Sequence, residues 1–215
     1  MDQNAQFVRQ AQVERTLKAL AKNRIPAVYA PTCQEAVEAV RGMLHPGDTV
    51  SCGGSMTLAE CGVRDLLKSG EYNFLDRETA DAQEVYRKTF SADAFLMSAN
   101  AITEDGELYN VDGNGNRVAA LIFGPKRVIV VAGVNKIVRN LDEAITRVKC
   151  MAAPANGVRL ETRTPCSRLG KCPGTEGGMT AGCASEKRMC CQYVVTGYQR
   201  EDRIRVVLVG EELGY

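Results

Sequence analysis

Short apolar runs of strand length alternate with amphipathic runs of helix length along most of this chain, and no other feature limits its fold as strongly. IPAVYA (25–30) reads as a strand, TCQEAVEAVRGML (32–44) as a helix capped by Thr32, and PGDTVSC (46–52) as a second strand. A short helix through Leu66 and Leu67 follows, then a strand near YNFLD, a helix over TADAQEVYRKTF and the apolar strand AFLMSA. NRVAALIFG, RVIVVAG (127–133), LDEAITRVKCMAA and RIRVVLVG (203–210) complete the alternation as helix, strand, helix and strand. Val8, Ala11, Leu17, Leu20 and Ala21 recur at helical spacing ahead of it, so an amphipathic helix opens the chain. Parallel strands need a crossover of a dozen or more residues, and helices of this length supply it. The expectation is an α/β fold with a mainly parallel central sheet covered by helices on both faces, with strands at 48–52, 94–99, 127–133 and 204–209.

A hydrophobic content of 45% in 215 residues suits one main core and one domain spanning 1–215. Lys and Arg number 27 against 26 Asp and Glu, and no long run of either sign occurs. That balance speaks against a nucleic-acid stripe or a polybasic membrane patch and for small molecules or protein partners, a homo-oligomer included. The first residues lack the apolar core of a secretory signal, and no segment reaches the length of a membrane span. A soluble, cytoplasmic protein is expected, with its nine cysteines kept reduced.

In open α/β sheets ligands lie beyond the carboxyl ends of the strands. CGGSMTLAE (52–60) falls there, where Gly53 and Gly54 let backbone donors approach an anion while Ser55 or Thr57 caps the next helix. The plain alternative is a tight turn with a capping serine. Glu60 either faces the site or sits at the positive end of the helix dipole. SANAITEDGELYNVDGNGNR (98–117) follows a buried strand, and its Asn100, Glu104, Asp105, Asn110, Asp112 and Asn116 offer acceptors and proton carriers. Its alternative is a solvated hairpin with Asp-Gly turns. Asn135 and Lys136 follow another buried strand, where a lysine either holds an anion or is simply solvated. Because the loops leave neighbouring parallel strands, Gly53, Gly54, Ser55 and Thr57 are expected close to Glu104, Asp105 and Asn116. The sole histidine, His45, lies in a helix-ending turn and reads as structural.

Residues 164–191 break the alternation: between 170 and 188 the only large apolar side chain is Met179, so a poorly packed excursion outside the sheet is expected. Cys166, Cys172, Cys183 and Cys190 punctuate it with gaps of five, ten and six residues, and Cys191 follows. Thiolates on a glycine-rich loop can converge on an iron–sulfur cluster or on zinc, whose binding energy then orders the loop. Zinc sites usually carry close C-x₂-C pairs, which this segment lacks. Free thiols on a mobile loop are the alternative. Cys33, Cys52, Cys61 and Cys150 lie in or near regular elements and read as buried small apolar residues.

GGSMTLAECG, the stretch from SANAITEDGELYNVDGNGNRVAALIFG through VNKIV, RVKCMAAPANGVRL, TPCSRLGKC and RVVLVGEELGY together resemble the LUD-domain lactate-utilisation family across almost the whole chain. The resemblance implies a fold related to the CoA transferases and sugar-phosphate isomerases. It also implies a component of L-lactate oxidation to pyruvate that works beside iron–sulfur subunits and binds a small organic anion in a strand-end cleft. In those fold relatives a carboxylate acts as base or nucleophile, which makes Glu104, Asp105 and Glu60 the candidates here. Two other classes remain open: a stand-alone transferase or isomerase acting on a small acyl or phosphorylated substrate, and a metabolite-sensing module.

Overall fold

A computed structural model describes residues 2–215. Six strands form the central sheet: β1 (Ala27–Ala30), β2 (Thr49–Cys52), β3 (Asn73–Leu75), β4 (Ala94–Met97), β7 (Arg127–Gly133) and β10 (Ile204–Val209). Their order is β1-β10-β7-β4-β2-β3, and every neighbouring pair is parallel. Strand β7 shows why both faces are covered. Side chains alternate across a strand, and Val128, Val130 and Ala132 enter one core while Ile129 and Val131 enter the other. Helices α1 (Gln3–Lys22) and α6 (Asn116–Ile122) close the first face through Val13, Leu20, Ala120 and Leu121. Helices α2 (Cys33–Arg41), α3 (Met56–Glu60) and α4 (Val63–Leu67) close the second through Ala36, Val40, Leu58 and Leu67. Thr32 caps α2 as expected, its side chain accepting from the Glu35 N–H. Helix α5 (Ala82–Thr89) crosses from β3 to β4.

The expected strands are present, β7 and β10 with the expected bounds and β2 and β4 shortened, and the early end of the strand expected at 94–99 marks a difference of kind. Strand β4 stops at Met97, and the chain leaves the central sheet for a second one. This second sheet orders β8 (Ile137–Val138), β5 (Ala101–Thr103), β6 (Leu108–Asp112) and β9 (Gln192–Thr196) as β8-β5-β6-β9. Strands β5 and β6 form an antiparallel hairpin, but they are not the solvated loop of the alternative reading: Ala101, Ile102, Leu108, Tyr109 and Asn110 are all buried. The tip of the hairpin packs on α1, where Asn23 Nδ2 donates to the carbonyls of Asp105 and Gly106. Gly106 has φ +80°, and a Cβ there would come within 2.6 Å of the Ala19 carbonyl carbon, so only glycine fits.

After a 3₁₀ turn (Val134–Lys136) and β8, helix α7 (Leu141–Arg147) runs through a π-helical turn (Val148–Ala152) into α8 (Ala153–Arg159). The π turn ends just before Pro154, which cannot donate a helix hydrogen bond and whose ring crowds the preceding turn. The cysteine segment opens with α9 (Pro165–Leu169), and residues 170–191 form no regular element. It lies outside the central sheet, yet the expectation of poor packing is corrected. Lys149 is buried, and its Nζ donates to the carbonyls of Gly174, Gly177 and Gly178 at 2.7–3.0 Å. Arg188 donates to the carbonyls of Thr180, Cys183 and Cys190, while Met179 and Cys190 pack against the core around Tyr109 and Val148. Two cations satisfying loop carbonyls replace the hydrophobic core that the segment cannot build. Among the described residues no helix is long and apolar enough to cross a membrane.

Candidate functional site

Strands β2, β4 and β7 are neighbours in the sheet, so the loops that follow them gather at one edge. Between these loops and the second sheet lies an open cavity of about 550 Å³. Gly54, Ser55 and Thr57 reach it from the loop after β2, Ser98 and Asn100 from the chain after β4, and Lys136 from the turn after β7. Asn116 and Arg117 line it from the start of α6.

Lys136 is 3% exposed, and its Nζ donates to Thr57 Oγ1 at 2.7 Å and Ser98 Oγ at 2.9 Å. Each hydroxyl accepts from Nζ and in turn donates to a carbonyl, Leu213 O for Thr57 and Ala99 O for Ser98. No carboxylate pairs with this ammonium among the described residues. Burial brings Lys136 down to about 7, and the guanidiniums of Arg147 and Arg117 push the same way against Glu60.

Arg117 braces the walls. Its guanidinium donates to Ser98 O, Asn110 Oδ1, Asn100 Oδ1 and Val111 O at 2.6–3.2 Å, with Asp112 Oδ2 at 3.6 Å from Nε. One side chain thus ties the end of β4 to β6. Asp112 is itself held by the N–H groups of Asn114, Gly115 and Val118, which fixes the turn that starts α6. Arg147 reaches in from α7 and donates to Asn135 O and Asn100 O, again with no carboxylate partner. Cations dominate the cavity wall: Arg77, Arg117, Lys136, Arg159, Lys187 and Arg188 face only Asp112 and Glu186.

Of the residues singled out in the sequence, Gly54, Ser55, Thr57, Asn100, Asn116 and Lys136 come together on this cavity. Ser55 does cap α3, accepting from the Leu58 N–H. Gly53 lies just behind the wall, where a Cβ would sit 3.1 Å from Arg117 Cδ. Asn110 lies beneath Arg117, fully buried, and its Nδ2 has no hydrogen-bond partner. Asn135 and Glu60 do something the sequence did not suggest. Asn135 exchanges hydrogen bonds with Leu213 and Gly214, and Glu60 Oε2 accepts from the Gly214 N–H, so both fasten the C-terminal residues over the strand ends. Tyr215 then lines the cavity, its hydroxyl buried and unpaired.

Glu104 and Asp105 are not at the cavity. Glu104 accepts from Arg15 Nε at 2.7 Å and Gln12 Nε2 at 3.1 Å, and Asp105 sits in the hairpin tip on α1. The expectation that they approach Gly53–Thr57 is therefore corrected. The chain turns out of the central sheet at Ser98 and Asn100, and by residue 104 the second sheet has carried it to the α1 face. Sequence reasoning missed Arg117 and Arg147, which read as ordinary helix residues, and Ser98 and Tyr215. The one available signal was that Arg117 directly follows the glycine-rich turn expected at a helix start.

Cys166, Cys172, Cys183 and Cys190 all line a second, mostly apolar cavity of about 20 Å³ beside Tyr109 and Met179. Burial raises the Cys190 thiol to about 11, the other three cysteines add to this, and Arg188 opposes it. The donor set is that of a soft metal or cluster. Its spacing is not: among the described residues no three or more His, Cys, Asp or Glu are arranged to hold a metal ion. Cys61 is buried and Cys33 and Cys52 are half-buried in line with their reading, whereas Cys150 is exposed.

Fold and cleft together define an α/β protein whose parallel sheet presents a cationic cavity at its strand ends. The LUD-domain profile matches residues 13–209, and the chain belongs to the LUD-domain family, which is associated with lactate utilisation. A crystal structure of a DUF162 family protein from Deinococcus radiodurans is similar with a TM-score of 0.53, covering 94% of this chain and 98% of that one at 13% identity. At that identity the likeness concerns the fold. Comparison with curated proteins gave no match.

Proposed function

We propose that this protein binds a small organic anion of the lactate and pyruvate type in the cavity beside Lys136, as a component of L-lactate oxidation working with iron–sulfur subunits. The observation that carries this reading is the uncompensated charge: Lys136 and Arg147 approach one another at the strand ends, and neither has a carboxylate partner among the described residues. Buried cations are costly unless an anion joins them, so a ligand carboxylate completes the site. The transferase or isomerase reading looked to Glu104, Asp105 or Glu60 as base or nucleophile, but Glu104 pairs with Arg15, Asp105 lies at the hairpin tip on α1, and Glu60 accepts from the Gly214 N–H.

Calorimetric titration with L-lactate, pyruvate and uncharged lactamide tests the reading. Binding of the two anions that is lost in Lys136→Met, with lactamide inert, is the expected result. Equal affinity for lactamide, or retention of full affinity in the variant, would overturn it.

An iron–sulfur cluster on Cys166, Cys172, Cys183 and Cys190 is proposed on separate grounds: all four residues line one cavity, and although their present arrangement is not that of a metal site, cluster binding would draw the thiols together and order the loop. When bound, such a cluster supplies one-electron transfer. Iron and sulfide analysis after anaerobic reconstitution should give stoichiometric metal that a Cys190→Ser change abolishes. Substoichiometric iron that is indifferent to that change would refute the assignment.

A further inference from the structure

Lysines are normally exposed or salt-bridged, and a buried one beside an open cavity with only hydroxyls for partners needs an explanation. Lys136 is such a lysine. It is 3% exposed, it lines the 550 Å³ cavity, and its Nζ contacts are Thr57 Oγ1 and Ser98 Oγ. In its charged form this side chain attracts an anion, and burial without a carboxylate partner makes the neutral form accessible near neutral pH as well. A neutral amine suits these surroundings, because it can donate to the two hydroxyls and keep its lone pair for the cavity. The charged groups around it favour the neutral form on balance: Arg117 on α6 and Arg147 on α7 disfavour a third positive charge, and Glu60 at the end of α3 opposes them only in part. Neutral amines in such settings are the nucleophiles of imine-forming sites.

We propose that Lys136 forms a reversible imine with the carbonyl of a 2-oxo acid bound in the cavity. The proposal rests on the anion-binding reading and extends it by naming the ligand class as one with a ketone next to its carboxylate. In the first step the Nζ lone pair attacks the keto carbon, a C–N bond forms, and a proton passes from nitrogen to the former carbonyl oxygen. Loss of that hydroxyl with the second amine proton releases water and leaves the C=N bond, so no oxidant or reductant is consumed. Ser98 and Thr57, at 2.9 and 2.7 Å from Nζ, are placed to carry the protons between nitrogen and oxygen. Lactate has a hydroxyl in place of the ketone and cannot form this bond, so the site distinguishes the two acids covalently.

The test is reductive trapping of the whole chain with pyruvate and sodium borohydride, followed by peptide mapping. Hydride adds to the C=N carbon and leaves a stable 1-carboxyethyl group on the lysine. The expected result is a single adduct on Lys136, absent from Lys136→Arg, present in the surface control Lys126→Met, and suppressed by excess lactate. Trapping should rise between pH 6 and pH 7 as the amine loses its proton, and should not keep rising above pH 7, where binding of the anion weakens. An adduct confined to other lysines, or no adduct, would overturn the proposal. Lactate titration run in parallel separates the two failures. Lactate binding without trapping removes the imine and keeps the anion site, and the loss of both removes the anion site as well.

Discussion

Lys136 Nζ lies 2.7 Å from Thr57 Oγ1, although 79 residues separate them in sequence. Only the sheet order explains that distance. Strands β2, β4 and β7 are adjacent, so the residues just past their carboxyl ends meet at one edge, with Ser98 supplied by the strand between. The site is therefore a product of parallel topology, and each residue's contribution can be tested separately.

Protonation of Lys136 should govern both stability and anion binding. Its folded value of about 7 lies below the ordinary lysine value, so between the two the unfolded chain holds a proton that the folded chain lacks. Stability accordingly rises as pH increases through this window, by about 1.4 kcal/mol per unit at most, and the full penalty is present below it. Thermal melts from pH 6 to pH 9.5 should show this rise in the parent protein, and it should flatten in Lys136→Met. Lactate, which needs the charged form, should bind about tenfold more weakly for each pH unit above 7. A flat profile for both proteins would contradict this.

Arg117→Lys should be damaging in spite of its conserved charge. A lysine cannot reproduce the fork that reaches Ser98 O, Asn110 Oδ1, Asn100 Oδ1 and Val111 O. Buried acceptors left unpaired should cost about 3 kcal/mol or more by denaturant titration. Less than about 1 kcal/mol would mean that the walls of the cavity are held by something else.

Gly54→Val is expected to separate binding from folding. Gly54 is exposed on the cavity wall, and a Cβ there would approach Arg77 Nη2 at 2.5 Å, a flexible side chain that can swing away. The melting temperature should fall by only a few degrees while affinity for lactate drops about tenfold, equivalent to about 1.4 kcal/mol. A collapse in stability would show the position to be structural.

Two glycines with almost the same backbone should respond differently to alanine. Gly47 has φ +82° and open space around its Cβ position, so Gly47→Ala meets only the left-handed conformational penalty of about 1 kcal/mol. Gly106 at φ +80° would also drive its Cβ into the Ala19 backbone, and Gly106→Ala should cost about 3 kcal/mol or more. Equal costs would refute the close packing of hairpin and α1.

Glu104→Gln should leave anion binding unchanged within about twofold and lower stability by no more than about 1 kcal/mol, since its partner Arg15 is largely exposed. Loss of binding would return this carboxylate to the site.

The central sheet could be read from local pattern because burial on both faces writes itself into the strands. RVIVVAG and RIRVVLVG are continuous apolar runs, and the amphipathic segments between them have the length that parallel crossovers require. Gly54, Ser55, Thr57, Asn100 and Lys136 were recoverable for the same reason, since each lies within a few residues of the carboxyl end of a central strand. The second sheet was not legible. Its strands run from two to five residues, too short to show a period, and β9 pairs with β6 from 80 to 88 positions away, Thr196 opposite Leu108 and Gln192 opposite Asp112. That pairing decided where Glu104 went, and it brought the cysteine segment against Tyr109 instead of leaving it in solvent. It also set the roles of Arg117 and Arg147, which look like solvated helix residues until the hairpin and the strand ends close around them. Local sequence determined which segments became strands and helices, since burial periodicity and capping act over a few residues. Tertiary structure alone decided which polar groups lost their water, because desolvation depends on every element that packs over a group, however distant in the chain.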